Sequence, residues 1–209
     1  MRGAIATAAA LLLGMHTSPS AHRLDDYLQA ARVSLERTRV TLEVDLTPGA
    51  RVADGVIALI DRDGDSKISP LEAKWYGEQV IEDMVLELDG SPVALTLSQV
   101  EVPSLDEMRQ GLGTIQLRGS GNVHAGMRVR RHLHFQNNHQ AASSVYLVNA
   151  LIPGDHGISV VGQVRDAKQR DVRIEYSVRP QWPRYVYWPV LGGVAMFLVF
   201  RRSRLNIHH

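Results

Sequence analysis

From residue 27 to residue 178 the chain alternates apolar and polar positions in short runs, each closed by turn-forming residues. Tyr27, Ala31, Val33 and Leu35 alternate with other positions, and after Glu36-Arg37-Thr38 the residues Val40, Leu42, Val44 and Leu46 do the same. A period of two places every second side chain on one face, so the two runs predict half-buried strands joined as a hairpin. Residues 85–88 and 93–97 predict a second hairpin around Asp89-Gly90, a favoured turn dipeptide. Strand-like runs follow at 115–117, 127–135, 145–151, 158–164 and 172–178. Many short strands separated by turn signals predict a mainly β chain folded as a β-sandwich. No internal repeat is visible.

The period changes between about residues 50 and 84. Val52, Val56, Leu59 and Ile60 recur at helical spacing, with Gly55 as an interruption, and Tyr76, Val80 and Met84 form a later stripe beside Trp75 and Ile81. Ser69 precedes Pro70, which disfavours helical geometry at Ser69 and pre-sets the first helical residue. With Glu72 three residues on, Ser69 also reads as the first member of a capping box. A helix-loop-helix inserted between the second and third strands is expected.

The loop of that insertion carries the clearest chemistry in the chain. Asp61, Asp63 and Asp65 alternate, and Glu72 follows at the twelfth position. A tightly coiled loop turns alternate side-chain oxygens toward one point, and such a concentration of charge calls for a hard cation with many oxygen ligands, calcium. The stretch resembles an EF-hand calcium-binding loop. The resemblance implies that Asp61, Asp63 and Asp65 hold the first, third and fifth ligand positions. Lys67 contributes its backbone carbonyl, Ser69 the ninth position directly or through water, and Glu72 both carboxylate oxygens. Ile68 matches the apolar eighth position. The sixth position departs from the pattern, being Ser66 rather than glycine. A serine there must turn left-handed, at a cost on the order of 1 kcal/mol. The alternative is an acidic turn capped by Ser69 without a metal. No second such loop is present.

Charge changes the picture by exclusion. Lys and Arg number 23 against 22 Asp and Glu, which argues against a nucleic-acid binder working through a basic surface. No cysteine is present, so disulfides, zinc-thiolate sites and thiol nucleophiles are excluded. The two ends bear on the compartment. Residues 1–21 combine an early arginine, an apolar run and a small-residue exit, the form of a secretory signal peptide cleaved after Ser20 or Ala21. Residues 185–200 are apolar and uncharged, Trp182, Tyr185, Tyr187 and Trp188 cluster at their upstream edge, and Arg201, Arg202 and Arg204 follow. This predicts a single transmembrane helix with the tail 201–209 in the cytoplasm and residues 22–180 outside it. A buried apolar hairpin and a removable sorting tail are the alternatives.

Other constellations carry less. His132 and His134 share a strand face with Arg128 and Arg130, which oppose a divalent cation, so a solvated face is expected there. His22 would lie at the mature N-terminus without an evident partner ligand, and His208 and His209 read as a tail. The motifs HExxH, GxSxG, GxGxxG and GxxxxGK[ST] are missing, and Asp25-Asp26 and Asp155-His156 give no catalytic site, so no enzyme is expected. Residues 21–30, 46–49, 107–115 and 146–153 resemble the leading exported domain of bacterial membrane proteins related to the hydrogenase/urease accessory permeases. Metal transport in that family belongs to a multi-helix membrane portion and does not carry over to one span.

The expectation is therefore a membrane-anchored extracytoplasmic β-sandwich that binds calcium at Asp61, Asp63, Asp65, Lys67, Ser69 and Glu72, the ion acting structurally. Its partners are the ion, the membrane and a membrane protein. A calcium-responsive adaptor of such a protein, or an enzyme with a site assembled across the sandwich, are the alternatives.

Overall fold

The computed structural model describes residues 26–124 and 129–180. The expected signal peptide, His22, Asp25, Met127, Arg128, the aromatic edge, the apolar run 185–200 and the tail with His208 and His209 lie outside the described residues. Among the described residues no helix is long and apolar enough to cross a membrane.

The first hairpin forms as its alternation dictates. β1 (Tyr27–Leu35) and β2 (Arg39–Pro48) pair antiparallel from Tyr27 opposite Pro48 to Leu35 opposite Val40, burying Val33, Leu35, Val40, Leu42, Val44 and Leu46 on one face. The chain then makes α1 (Ala53–Ile60) and α2 (Pro70–Glu82) before β3 (Met84–Leu88), so the helices are inserted between the second and third strands. β4 (Ser91–Pro92), β5 (Thr96–Glu101), α3 (Leu105–Arg109), β6 (Ile115–Asn122), β7 (Arg130–Asn137), β8 (Ser144–Ala150), β9 (Ile158–Arg165) and β10 (Asp171–Val178) complete the order. One sheet runs β5-β6-β2-β1-β8 and the other β4-β3-β7-β10-β9. Both contribute to one apolar core, the layered arrangement of a β-sandwich.

Three local expectations are corrected. Asp89 and Gly90 both adopt positive φ, as a primed hairpin turn requires, but β4 is only two residues long. Val93 still donates to the Leu86 carbonyl, whereas Thr96 pairs with Ser120, so residues 93–97 cross from one sheet to the other instead of completing a hairpin. In α1, Ile57 is buried and Leu59 is 43% exposed, and in α2 the helix ends at Glu82, so Met84 opens β3. On β7, Arg131 points inward and is held by the Asp89 carboxylate at 3.0 Å and the His124 carbonyl at 2.6 Å. The short α3 was not foreshadowed by any periodic stripe.

Helix α2 lies close to the first sheet because glycines leave room for it. A Cβ at Gly77 would come within 2.9 Å of a Leu97 methyl, and one at Gly119 within 2.9 Å of a methyl of Ile81. The edge strand β8 is closed differently. It pairs in parallel with β1, and on its other side Arg165 of β9 donates to the Val148 carbonyl at 2.6 Å while Gln163 accepts from the Ala150 amide at 3.2 Å. Side chains of one sheet thus satisfy the backbone edge of the other.

A buried polar network ties these layers together. Gln29, inward on β1 and wholly buried, donates to the His139 carbonyl at 3.0 Å and to Ser144 Oγ at 2.7 Å, and accepts from Asn137 Nδ2 at 2.8 Å. Asn137 Oδ1 accepts from the His139 amide at 2.9 Å, and the Tyr146 hydroxyl donates to the His139 carbonyl at 2.7 Å. No buried side-chain nitrogen or oxygen among the described residues lacks a partner. Gln29→Ala leaves the buried Asn137 Nδ2 unmatched and is expected to destabilise by about 1–3 kcal/mol. Gln99→Ala, exposed on β5, is expected to stay within about 0.5 kcal/mol. Urea denaturation of both variants checks the contrast.

Candidate metal centre

Local rules build the loop between α1 and α2. Asp61 is the C-cap of α1, its amide donating to the Ile57 carbonyl. Ser69 is the N-cap of α2 in extended geometry, Pro70 is the first helical residue, and Ser69 with Glu72 forms a complete capping box. Between the caps the chain turns left-handed twice, at Gly64 (φ +72°) and at Ser66 (φ +62°). The strain expected at the sixth loop position is therefore present. Ile68 is partly buried and packs on the core, anchoring the far side of the loop.

The three aspartates converge. Asp61, Asp63 and Asp65 each offer a carboxylate oxygen, and these oxygens lie within 4.8 Å of one another. Each carboxylate also organises the loop by accepting backbone amides. Asp61 takes those of Gly64 at 2.9 Å and Ser66 at 3.0 Å, Asp63 that of Asp65 at 3.1 Å, and Asp65 that of Lys67 at 2.8 Å. Amide dipoles offset part of the mutual repulsion of the three charges, which a bare cluster would not survive cheaply.

Glu72 is placed differently from the other acids. Its Oε2 accepts from the Ser69 amide at 2.9 Å and the Ser69 hydroxyl at 2.8 Å, and its Oε1 from the Arg62 amide at 2.8 Å. It closes the loop by joining its start to the first turn of α2. Those donors, the Ser69 amide foremost, then the Ser69 hydroxyl and the Arg62 amide, hold its carboxyl down at about 2. Ser69 Oγ is engaged in the cap, and Lys67 meets the loop through its amide. Thus Asp61, Asp63 and Asp65 come together, while Glu72 and Ser69 serve the helix start. All are hard oxygen donors, which fits calcium and not a thiophilic metal.

Two neighbours of the loop were not anticipated. Arg62 lies 4.2 Å from the centroid of the Trp75 ring, a cation–π contact between loop and helix. The stretch from Ser66 to Pro70 also forms one wall of an open groove of ≈ 610 Å³, whose other wall includes Val100, Val102, Leu105 and Arg109.

The other sequence candidates form no comparable group. His134 sits between Asp171 at 2.8 Å and Glu87 at 3.4 Å on a partly exposed strand face, and His132 is exposed. Asp155 is engaged by the Gly157 amide and by Arg37. The buried network around His139 was missed, although one signal was available: Gln29 occupies an inward position in the alternation of β1.

Two outcomes follow for the loop alone, without added metal. A left-handed serine costs about 1–2 kcal/mol and glycine gives back about 0.5–1 kcal/mol of unfolded-state freedom, so Ser66→Gly is expected to stabilise by about 0.5–1 kcal/mol in urea melts. The lowered Glu72 carboxyl stabilises the fold fully above its ordinary value of 4.5, and that contribution is lost as pH falls toward about 2. Glu72→Gln is expected to flatten the stability profile in that window, measured in chelator.

The chain matches no protein-family model, no curated protein and no solved structure. What the loop can do rests on its own geometry.

Proposed function

We propose that this chain is an extracytoplasmic calcium-binding module, held to the membrane by its C-terminal apolar run, in which the ion braces a helix pair against a β-sandwich. The observation that carries the reading is the convergence of Asp61, Asp63 and Asp65 within 4.8 Å on a loop framed by two helices. Calcium neutralises that charge only while the loop is folded, so it favours the native state. A lone loop outside the cell needs an affinity on the order of 10⁻⁴–10⁻³ M, as extracellular modules have. A membrane protein as partner is what the resemblance noted in the sequence implies.

β10 ends beside Arg37, which donates to the Arg179 carbonyl at 2.8 Å in the turn between β1 and β2. β2 runs about 30 Å from that turn to its far end, and α1 and then the loop follow from there.

A second reading, a calcium-responsive adaptor, is favoured by the groove whose wall is the loop itself. Ordering of Ser66 to Pro70 by the ion would shape that wall.

The test is a melt in chelator and in calcium. At free calcium tenfold above the dissociation constant the expected gain is about 1.4 kcal/mol, or about 3–6 °C in Tm for a domain of this size. Asp63→Asn is expected to remove most of that gain, and Asp106→Asn, exposed on α3, none of it. Trp75 fluorescence reports the same titration through its contact with Arg62. Superimposable melts with and without calcium would reject the reading.

A further inference from the structure

His139 follows β7 and is 3% exposed, yet it carries a titratable ring into the place where α2 meets β1. Its Nδ1 lies 2.8 Å from Asp83 Oδ2, at the C-cap of α2, and its Nε2 lies 3.1 Å from the Tyr76 hydroxyl in the middle of the same helix. Tyr76 in turn lies 2.8 Å from the hydroxyl of Tyr27 on β1. The rings of Tyr27 and Tyr76 both stand edge-on to the imidazole.

The direction of this chain follows from its end. An ionised carboxylate only accepts, so Nδ1 carries the proton and Nε2 is the acceptor. Tyr76 then donates to Nε2, and Tyr27 donates to Tyr76. Each hydrogen has an acceptor. Adding one proton at Nε2 reverses the sequence. Nε2 now donates to Tyr76, only one of the two hydroxyl hydrogens can then be accepted between Tyr76 and Tyr27, and the other is left without an acceptor among the described residues, where Tyr27 is 1% and Tyr76 2% exposed.

We propose that His139 is a proton-operated latch on α2, whose protonation loosens the helix from β1 and thereby weakens calcium at the loop that α2 begins. The linkage is short. Tyr76, which the latch holds, lies one helical turn beyond Glu72, which closes the loop. This rests on the calcium reading above and adds its regulation.

The groups facing the ring agree on the sign. Burial disfavours the imidazolium most strongly, the half-exposed Asp83 partly offsets it, and the net effect holds His139 below its ordinary value of 6.5. Burial keeps Tyr76 protonated up to about 12 and Tyr27 well above its usual range, so neither hydroxyl relieves the mismatch by ionising. Tyr146 approaches from β8 through the His139 carbonyl, with Arg170 acting on it, while Gln29, Asn137 and Ser144 are uncharged. A base lowered on folding contributes stability that is complete above 6.5 and is lost as pH falls below it.

The experiment titrates the full-length chain with calcium at pH 7.5 and pH 5.0, where free aspartates are still mostly ionised. By linkage, a histidine that titrates one pH unit lower with calcium bound implies about tenfold weaker calcium below both values, and a weakening of about threefold or more is expected at pH 5.0. His139→Gln, which cannot titrate, is expected to bind with the same affinity at both pH values. Should that variant not fold, NMR of the wild type decides. The histidine resonance with contacts to the Tyr27 and Tyr76 rings must titrate below 6.5 and move lower when calcium is added. Equal wild-type affinity at both pH values, an acid weakening that survives His139→Gln, or a resonance that calcium does not move overturns the proposal. No calcium binding at either pH rejects the calcium reading and the coupling with it; acid-sensitive melts in chelator that His139→Gln removes would then leave the latch standing by itself.

Discussion

Helix α2 is held at several points by polar groups taken out of water, and the arrangement of the rest follows from that constraint. At its start, Glu72 accepts from Ser69 and from the Arg62 amide, fixing where the loop begins and ends. In its middle, Tyr76 is bound to Tyr27 and His139. At its end, Asp83 receives the His139 ring. Apolar packing through Val80 and Ile81 supplies contact area, but area alone allows a helix to slide or rotate on a sheet. Buried hydrogen bonds do not, because a small displacement leaves a donor or acceptor unmatched at a cost of about 1–3 kcal/mol.

The loop shows how a chain keeps acidic groups close together. The aspartates are exposed or nearly so, and each is already accepting backbone amides within the loop. Repulsion is thus lowered by screening and by oriented dipoles before any cation is considered. Glu72 differs because it sits under the loop, spent on the helix start. A cation at the aspartates would act on a loop whose ends are already fixed, and its effect would pass into α2 through the same residue that closes the loop.

The sandwich uses comparable economy at its edges. β8 would present an open backbone edge were it not for Arg165 and Gln163, which reach over from the other sheet. Residues 93–97 perform the opposite service, carrying the chain between sheets and leaving β3 with only a two-residue neighbour on that side. The space beside β5 and β6 is covered by α2, whose Gly77 permits the close approach. The inserted helices are thus a part of the core and not an appendage to it.

Local chemistry was legible along the chain because its causes are local. Alternation in 27–35 and 39–48 fixes which side chains face inward, whatever they face. Asp89-Gly90 makes its turn because both residues tolerate positive φ, and Ser69-Pro70 with Glu72 starts a helix by satisfying its first amides. The spacing of Asp61, Asp63 and Asp65 draws their oxygens together within one short loop. Tertiary structure alone decided the rest. The parallel pairing of β1 with β8, the crossing at 93–97 and the inward turn of Arg131 depend on partners far along the chain. The His139 chain is the clearest case, since Tyr27 and Tyr76 are 49 residues apart and Tyr76 and His139 63 apart. Gln29 reveals by its inward position that a polar partner is required, but an amide can be satisfied by many groups. Which one meets it is settled only when two sheets and a helix close around the same buried space.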